Sequence, residues 1–435
     1  GLEDAGGQVV QRVGPVPPIR LAGYDDAAEM LAPFDPATGP LIRFGWEADQ
    51  PERLRVVADH LVFDGESRAV FQRQLTALLT GQPLPPPAPA DPGALDAATE
   101  AAARAFWAPR LARLPERALA AEPDPVPPGD GRRAMIRLAP ETARALHGLT
   151  GRGATPTAVW IAIATTALWR ILEDTERLSV GVTFAGRGRR DTTDAIGCFV
   201  NLLPVVVEPT ADEALPQLAR RIGRDISQVL TVQDYPLSRL SADWARAVPG
   251  RGPEPIDVVC TLENDLSALE AADISFATGK FPLLIGLMWQ GDAAALNIEY
   301  DPARFGGAWI GRLQTMITRL IAAAAADPST PVDRLDLLGA EDRAVIASAN
   351  ATDFAWPRET GLGQQLDQVL RADPDRVVLA EDTGTLAAGD LRARLGGCRV
   401  RHAGRAEPSG RRRRAELPQP LLGPRHVRRA ERSGL

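Results

Sequence analysis

From residue 132 to residue 325, apolar runs of two different periods take turns along the chain, and this alternation limits the fold more than any other feature. Ala134-Met-Ile-Arg-Leu138 alternates as a strand, and Pro140–Leu149 repeats at helical spacing. Thr155-Pro156 supplies a cap followed by a proline at the first helical position, opening a strongly apolar helix that runs to about Leu172. Leu178–Phe184 and Asn201–Glu208 read as strands, the second so continuously apolar that burial on both faces is expected. Further strand-like runs follow at Ile256–Leu262, Phe281–Trp289 and Ala294–Tyr300, before a closing helix over Gly307–Ala325. Strands and helices interleaved in this way predict a mixed α/β (α+β) fold.

The regions on either side differ in texture. Ahead of residue 122, a strand over Arg53–Ala58 leads into Asp59-His-Leu-Val-Phe-Asp-Gly65 and then a helix over Ser67–Leu79, for which Ser67 is the expected N-cap. Gly81–Pro92 is a proline-rich connector, and a second helical segment covers about Leu95–Leu114. Glu122-Pro-Asp-Pro-Val-Pro-Pro-Gly-Asp-Gly131 has the composition of a linker. The pattern predicts a first region at 1–121, a linker at 122–131, a second region at 132–340 and another linker at 341–355. A short piece with one helix and one strand then covers 356–397. Residues 398–435 hold 11 Arg against 3 Glu with no aromatic residue, as in a disordered tail or in sequence read out of frame.

Charge and residue usage exclude several functions. The net charge of −7 conceals an uneven balance, because the Arg-rich end leaves residues 1–397 with about −15. There is no basic footprint for nucleic acid. Cys198, Cys260 and Cys398 are far apart and form no CxxC pair, which suits a reducing, cytoplasmic setting and speaks against a disulfide framework or a zinc site. The most apolar run, Thr157–Trp169, is about 13 residues and too short to span a bilayer. Gly1-Leu-Glu-Asp lacks the basic and apolar regions of a signal peptide.

The chain has four histidines, so a histidine-built metal centre is not expected. His402 and His426 lie in the Arg-rich end, and His147 falls in a helical run as a surface or boundary residue. His60 stands at the end of an apolar strand, four residues before Asp64-Gly65. An imidazole there can take up or orient the proton of an attacking amine or hydroxyl. It can equally be a satisfied polar group in a strand-to-helix turn. Asp64 is better suited to holding the turn through a cationic partner, and Gly65 lets the backbone come close to a bound acyl group. No Ser or Cys nucleophile with a partnered base is visible. Trp160 and Trp169, at helical spacing, are expected in the core, and Arg187-Gly-Arg-Arg190 in a solvated loop.

Several segments together resemble the condensation domains of nonribosomal peptide synthetases, relatives of chloramphenicol acetyltransferase. Asp59-His-Leu-Val-Phe-Asp-Gly65 is similar to the family's His-His-x-x-x-Asp-Gly except at its first position. Phe34-Asp-Pro-Ala-Thr-Gly-Pro-Leu-Ile-Arg43, Ala185-Gly-Arg187 with Ile196-Gly-Cys-Phe-Val-Asn-Leu-Leu-Pro204, and Gln233-Asp-Tyr-Pro236 resemble other family segments, in the family's order. Val232 stands where a histidine is usual. The resemblance covers about residues 8–340.

The resemblance implies two acetyltransferase-like lobes in a V-shaped pseudo-dimer, with the N-terminal lobe lacking its usual first strand and helix. By position, His60 becomes the catalytic imidazole, while Asp59, Asp64, Gly65 and Arg187 structure the site, with Asp64 paired to Arg187. Asn264 is a candidate for the substrate channel. The reaction implied is direct attack of an acceptor α-amine on a donor thioester. No cofactor is bound directly; both substrates arrive on the phosphopantetheine arms of upstream and downstream carrier domains, with no nucleic-acid or membrane partner. Residues 356–397 resemble the opening of an adenylation domain. Asp59-x-x-x-x-Asp64-x-x-Ser67 also fits the signature of heterocyclization domains, and a freestanding acyltransferase or an inactive fragment remain alternatives.

Overall fold

The computed structural model describes residues 2–4, 9–11, 21–24, 30, 32–47, 50–86, 95–114, 119–126, 131–151, 153–172, 175–187, 192–247, 255–263, 281–352, 360–381 and 384–403. The chain divides into two compact units, Gly1–Arg343 and Ala344–Leu435.

The first unit is centred on a six-stranded mixed sheet. Its strands are β6 (Arg132–Arg137), β7 (Leu178–Phe184), β8 (Asn201–Val207), β9 (Val258–Glu263), β10 (Leu283–Gln290) and β11 (Ala293–Tyr300), in the order β6-β11-β10-β9-β7-β8. β9 runs parallel to both β7 and β10, and the remaining pairs are antiparallel. The β10–β11 hairpin turns in two residues, and Gly291 (φ +58°) supplies the left-handed conformation that such a tight turn requires. β8 lies at the sheet's edge, where Pro204 removes no ladder hydrogen bond. Its Leu and Val residues are nonetheless largely buried, as the sequence predicts.

Helices α3 (Pro140–Thr150), α4 (Pro156–Ile171), α5 (Leu215–Leu230) and α7 (Gly307–Ala326) pack with this sheet and with one another. α4 begins as its sequence predicts: the Thr155 hydroxyl accepts from Ala158 N at 3.2 Å and Pro156 follows the cap. Eleven consecutive residues of α4, Ala158–Leu168, are buried, as befits a helix apolar all round. Trp160 is in the core, its indole N–H donating to Ile285 O at 3.2 Å, and Trp169 packs against the core from its margin. His147 is exposed on α3, edge-on to Trp289.

Ahead of the main sheet, β1 (Leu2–Asp4) pairs with β2 (Val9–Gln11). β3 (Leu21–Tyr24), β4 (Ile42–Glu47) and β5 (Gln50–Ala58) form a second sheet, with β3 parallel to β4 and β4 antiparallel to β5. Helix α1 (Gly65–Leu79) follows β5. Its N-cap is Asp64 rather than Ser67: Asp64 Oδ1 accepts from Ser67 N at 2.8 Å, so Ser67 is already the third helical residue. Helix α2 (Ala97–Leu111) places Trp107 and Leu111 in the same buried cluster as β7, β8, α4 and α5. The segment expected to be a linker at 122–131 is anchored at its start, with Asp124 N donating to Pro302 O at 2.9 Å.

Between residues 132 and 340, sequence reading named neither α5 nor α6 (Leu237–Ala247), which buries Leu240 and Trp244, and ahead of residue 53 it named none of β1 to β4. Residues 340–350, within and just before the expected second linker, form helix α8 (Ala340–Asn350), none of whose residues is buried. The second unit contains α9 (Leu362–Ala372), the hairpin β12 (Val377–Glu381) with β13 (Gly384–Ala387), and α10 (Ala388–Ala403). Arg392 of α10 donates to Asp367 of α9 at 2.7 Å. No helix among the described residues is long and apolar enough to cross a membrane.

Candidate active site

The turn that carries His60 is built from its flanks inward. Asp59 N donates to Leu41 O at 2.8 Å, which ties the end of β5 to the segment leading into β4. The Asp59 carboxylate accepts from Leu61 N at 2.9 Å, closing an Asx turn around His60. Asp59 is therefore a local turn-former, and its side chain is committed to its own loop. Arg43 fixes the preceding segment by donating to the carbonyls of Met30 (3.2 Å), Ala32 (2.5 Å) and Pro33 (3.1 Å), with its guanidinium 4.0 Å from the centre of the Phe34 ring. His60 itself is exposed.

Four residues on, the backbone enters α1 and a different polar cluster begins. Asp64 is buried, with only 5% of its surface exposed. Its Oδ1 accepts from Ser67 N, the Ser67 hydroxyl and Arg187 Nη2, each at 2.8 Å, and its Oδ2 accepts from Phe199 N at 3.0 Å. Burial by itself pushes this carboxyl up; hydrogen bonds from Phe199 N, Ser67 N, the Ser67 hydroxyl and Arg187 outweigh it and hold the group below the usual carboxylate range. An ionised Asp64 also suits the N-terminal end of a helix.

Arg187 approaches from the loop after β7. Its Nη1 donates to the carbonyls of Thr192 at 2.7 Å and Ala195 at 2.8 Å, and its guanidinium lies 4.5 Å from the centre of the Phe199 ring. The clamp is completed by backbone contacts: Asp64 N donates to Gly197 O at 3.1 Å, and Gly197 N to the Ser67 hydroxyl at 3.0 Å. Arg73 and Gln74 of α1 reach Asp194 in the same loop. Gly186 is indispensable to this crossing. It has φ +63°, and a Cβ there would stand 1.9 Å from Phe199 O.

The structure thus brings Asp59, His60, Asp64, Gly65 and Arg187 into one locality, with open space where a Gly65 side chain would be. Asn264 lies outside the described residues. One expectation is corrected. A thiol does stand beside the imidazole: Cys198 Sγ is 3.8 Å from His60 Nδ1. The pair is separated by 138 residues, so no local spacing announces it.

A second junction joins two further segments. Asn201 Nδ2 donates to the carbonyls of Gln233 at 2.7 Å and Tyr235 at 2.8 Å, and Asn201 Oδ1 accepts from Leu237 N at 3.2 Å. The Tyr235 hydroxyl engages Asp243 and accepts from Arg104 Nε at 3.3 Å, linking α6 to α2. A cavity of about 270 Å³ lies elsewhere, between α2, β8 and α5, lined by Trp107, Val205, Asp225 and Val229 among others. Burial pushes the Asp225 carboxyl up against the pull of Arg221, Arg110, Arg113 and Arg224. It contains neither His60 nor the clamp.

The chain is similar over most of its length to known proteins. Surfactin synthase subunit 1 of Bacillus subtilis is 27% identical over 401 residues, covering 86% of this chain and 11% of that protein. Phosphinothricin tripeptide synthetase PhsB of Streptomyces viridochromogenes is 29% identical over 410 residues, covering 85% of this chain and 34% of its own. The chain therefore spans about a tenth to a third of the length of these relatives. Among solved structures, the first condensation domain of the calcium-dependent antibiotic synthetase superposes with TM-score 0.58 at 21% identity, covering 78% of this chain and 86% of that one. A four-domain nonribosomal peptide synthetase superposes with TM-score 0.63 at 16% identity, covering 90% of this chain and 33% of that one. These likenesses establish the fold. The condensation-domain family model matches residues 25–347, and the chain belongs to that family.

Proposed function

We propose that this chain forms amide bonds in nonribosomal peptide synthesis, with His60 as its catalytic imidazole. The acceptor's α-amine attacks the thioester carbonyl of the donor; the C–N bond forms, the C–S bond breaks, and the amine's proton passes to the departing thiol. His60 orients the attacking amine or carries that proton. Asp64 and Arg187 hold the turn and take no proton, because a carboxylate kept ionised by four hydrogen bonds is a poor base. The observation that carries the reading is the convergence of the His60 turn, the Ala185–Arg187 segment and the Gly197–Phe199 backbone on one buried ion pair.

On this reading residues 1–121 and 132–340 are two acetyltransferase-like lobes joined by 122–131, with His60 at their interface. Upstream and downstream carrier domains present the substrates on phosphopantetheine arms. Residues 341–355 lead to the start of an adenylation domain at 356–397, which acts in cis. Supporting this extension, the four-domain synthetase matches 90% of the chain, against 78% for a single condensation domain.

The test uses the chain within its full-length synthetase and two loaded carrier domains. Dipeptidyl product should form, and His60→Ala should slow it at least about tenfold, as expected for acid–base work. Undiminished product from His60→Ala would remove the assignment. A product lighter by one water, with thiazoline or oxazoline absorbance, would mark a cyclizing enzyme instead.

A further inference from the structure

Cys198 is exposed, but it is not loosely held. The residues on either side are both fastened to the clamp: Gly197 by its N–H to Ser67 and its carbonyl to Asp64 N, and Phe199 by its N–H to Asp64 Oδ2. Residue 198 is thereby fixed in position, and its thiol stands 3.8 Å from His60 Nδ1. His60 is set from the other side by the Asp59 turn. Two loops fastened to each other through Asp64 and Ser67 thus present a thiol and an imidazole to each other at the protein surface. The other described thiol is its opposite. Cys260 is 2% exposed in the core, and burial pushes it up to about 12.

A thiol beside an imidazole can pass its proton to the ring, and the thiolate is the form that attacks sulfur. We propose that Cys198 is a modification site for low-molecular-weight disulfides, activated by His60. The Cys198 sulfur attacks one sulfur of the disulfide. A new S–S bond forms at Cys198, the original S–S bond breaks, and the released thiolate takes the proton that His60 received. The incoming disulfide is the oxidant, so the step balances without a further reactant. The group left on Cys198 stands against Nδ1 of His60, so modification couples the redox state of small thiols to access to the imidazole. This reactivity depends on geometry alone and does not require the proposed amide-forming activity.

The test uses the full chain carrying Cys398→Ser, so that Cys198 and Cys260 are the thiols compared. The probe is pantethine, an uncharged disulfide, and intact mass with peptide mapping follows its transfer. One pantetheine per chain is expected, on Cys198, reversed by dithiothreitol, with Cys260 unlabelled until the protein is denatured. His60→Ala and His60→Asn should each slow labelling at least about tenfold. Because His60 is exposed, both variants should melt as the parent does, which separates lost activation from lost fold. Equal labelling rates with and without His60 would overturn the proposal, as would a Cys198 rate no faster than that of free cysteine. Labelling is read by mass, so a chain inactive in peptide synthesis leaves this outcome unaffected.

Discussion

Asp64 combines burial with four donors, and this makes it the residue whose change has the clearest consequences. Its side chain is 3% exposed and that of Arg187 is 9% exposed, so each charge depends on the other. Arg187→Ala should cost on the order of 3–5 kcal/mol in urea unfolding, because it leaves a buried carboxylate without its cation. The pH dependence follows from the direction of the shift. A carboxyl held below its ordinary value contributes stability that is fully present above the unfolded-state value, about 3.9, and lost as pH falls through the folded-state value. The advantage of the parent over Asp64→Asn should therefore be constant from about pH 5 to 8 and shrink only below about pH 4, as urea midpoints across that range would show. Gly186→Ala should be more damaging than its size suggests, because the added methyl meets backbone and not a side chain that can turn away; loss of a cooperative melt is the expected result. At this scale the sequence was partly legible. The pairing of Asp64 with Arg187 followed from resemblance, since 123 residues separate them and no period links them. Cys198 beside His60 was invisible for the same reason: it lies within the Ile196–Pro204 segment, but nothing in that segment marks it as a neighbour of His60.

Elements were more legible than their ends and edges. The strands of the main sheet and helices α3, α4 and α7 follow from apolar period, because one face or all faces must be buried. α5 carried the same signal at Leu215, Leu218, Ile222 and Val229, spaced for one helical face. Ser67 was mistaken for the cap because Asp and Ser both cap helices and the sequence offers them three positions apart; Asp64 prevails, and Ser67 serves as its donor. That β8 is an edge strand was hidden by its Leu and Val content, although Pro204 was a clue. The junction of β8 with the turn before α6 rests on the Asn201 amide. Asn201→Ala strands the Gln233 and Tyr235 carbonyls and should cost about 1–3 kcal/mol. Asn201→Asp should be worse, since it turns a carboxylate towards two carbonyls. Urea unfolding of both variants ranks the two directly.

For the whole molecule, family membership was legible because four motifs stand in one order over about two hundred residues, from Phe34 to Pro236. The division at 343/344 falls within the segment 341–355 expected to be a linker; what the sequence did not announce is that helix α8 crosses it, without burying a residue. A chain of residues 1–352 should unfold cooperatively with the urea midpoint of the first unit in the full chain, as intrinsic tryptophan fluorescence would report. The clamp has one more consequence. Residues 64–74 meet Arg187 and residues 194–199 across a long stretch of backbone, and the stretch 80–86 between them is exposed throughout. If the backbone were opened there, covalent connection would no longer hold these partners together, and only their mutual affinity would. Supplied as two pieces, 1–84 and 85–435, the protein becomes a complementation pair whose dissociation constant reads out Asp64 and Arg187 one substitution at a time.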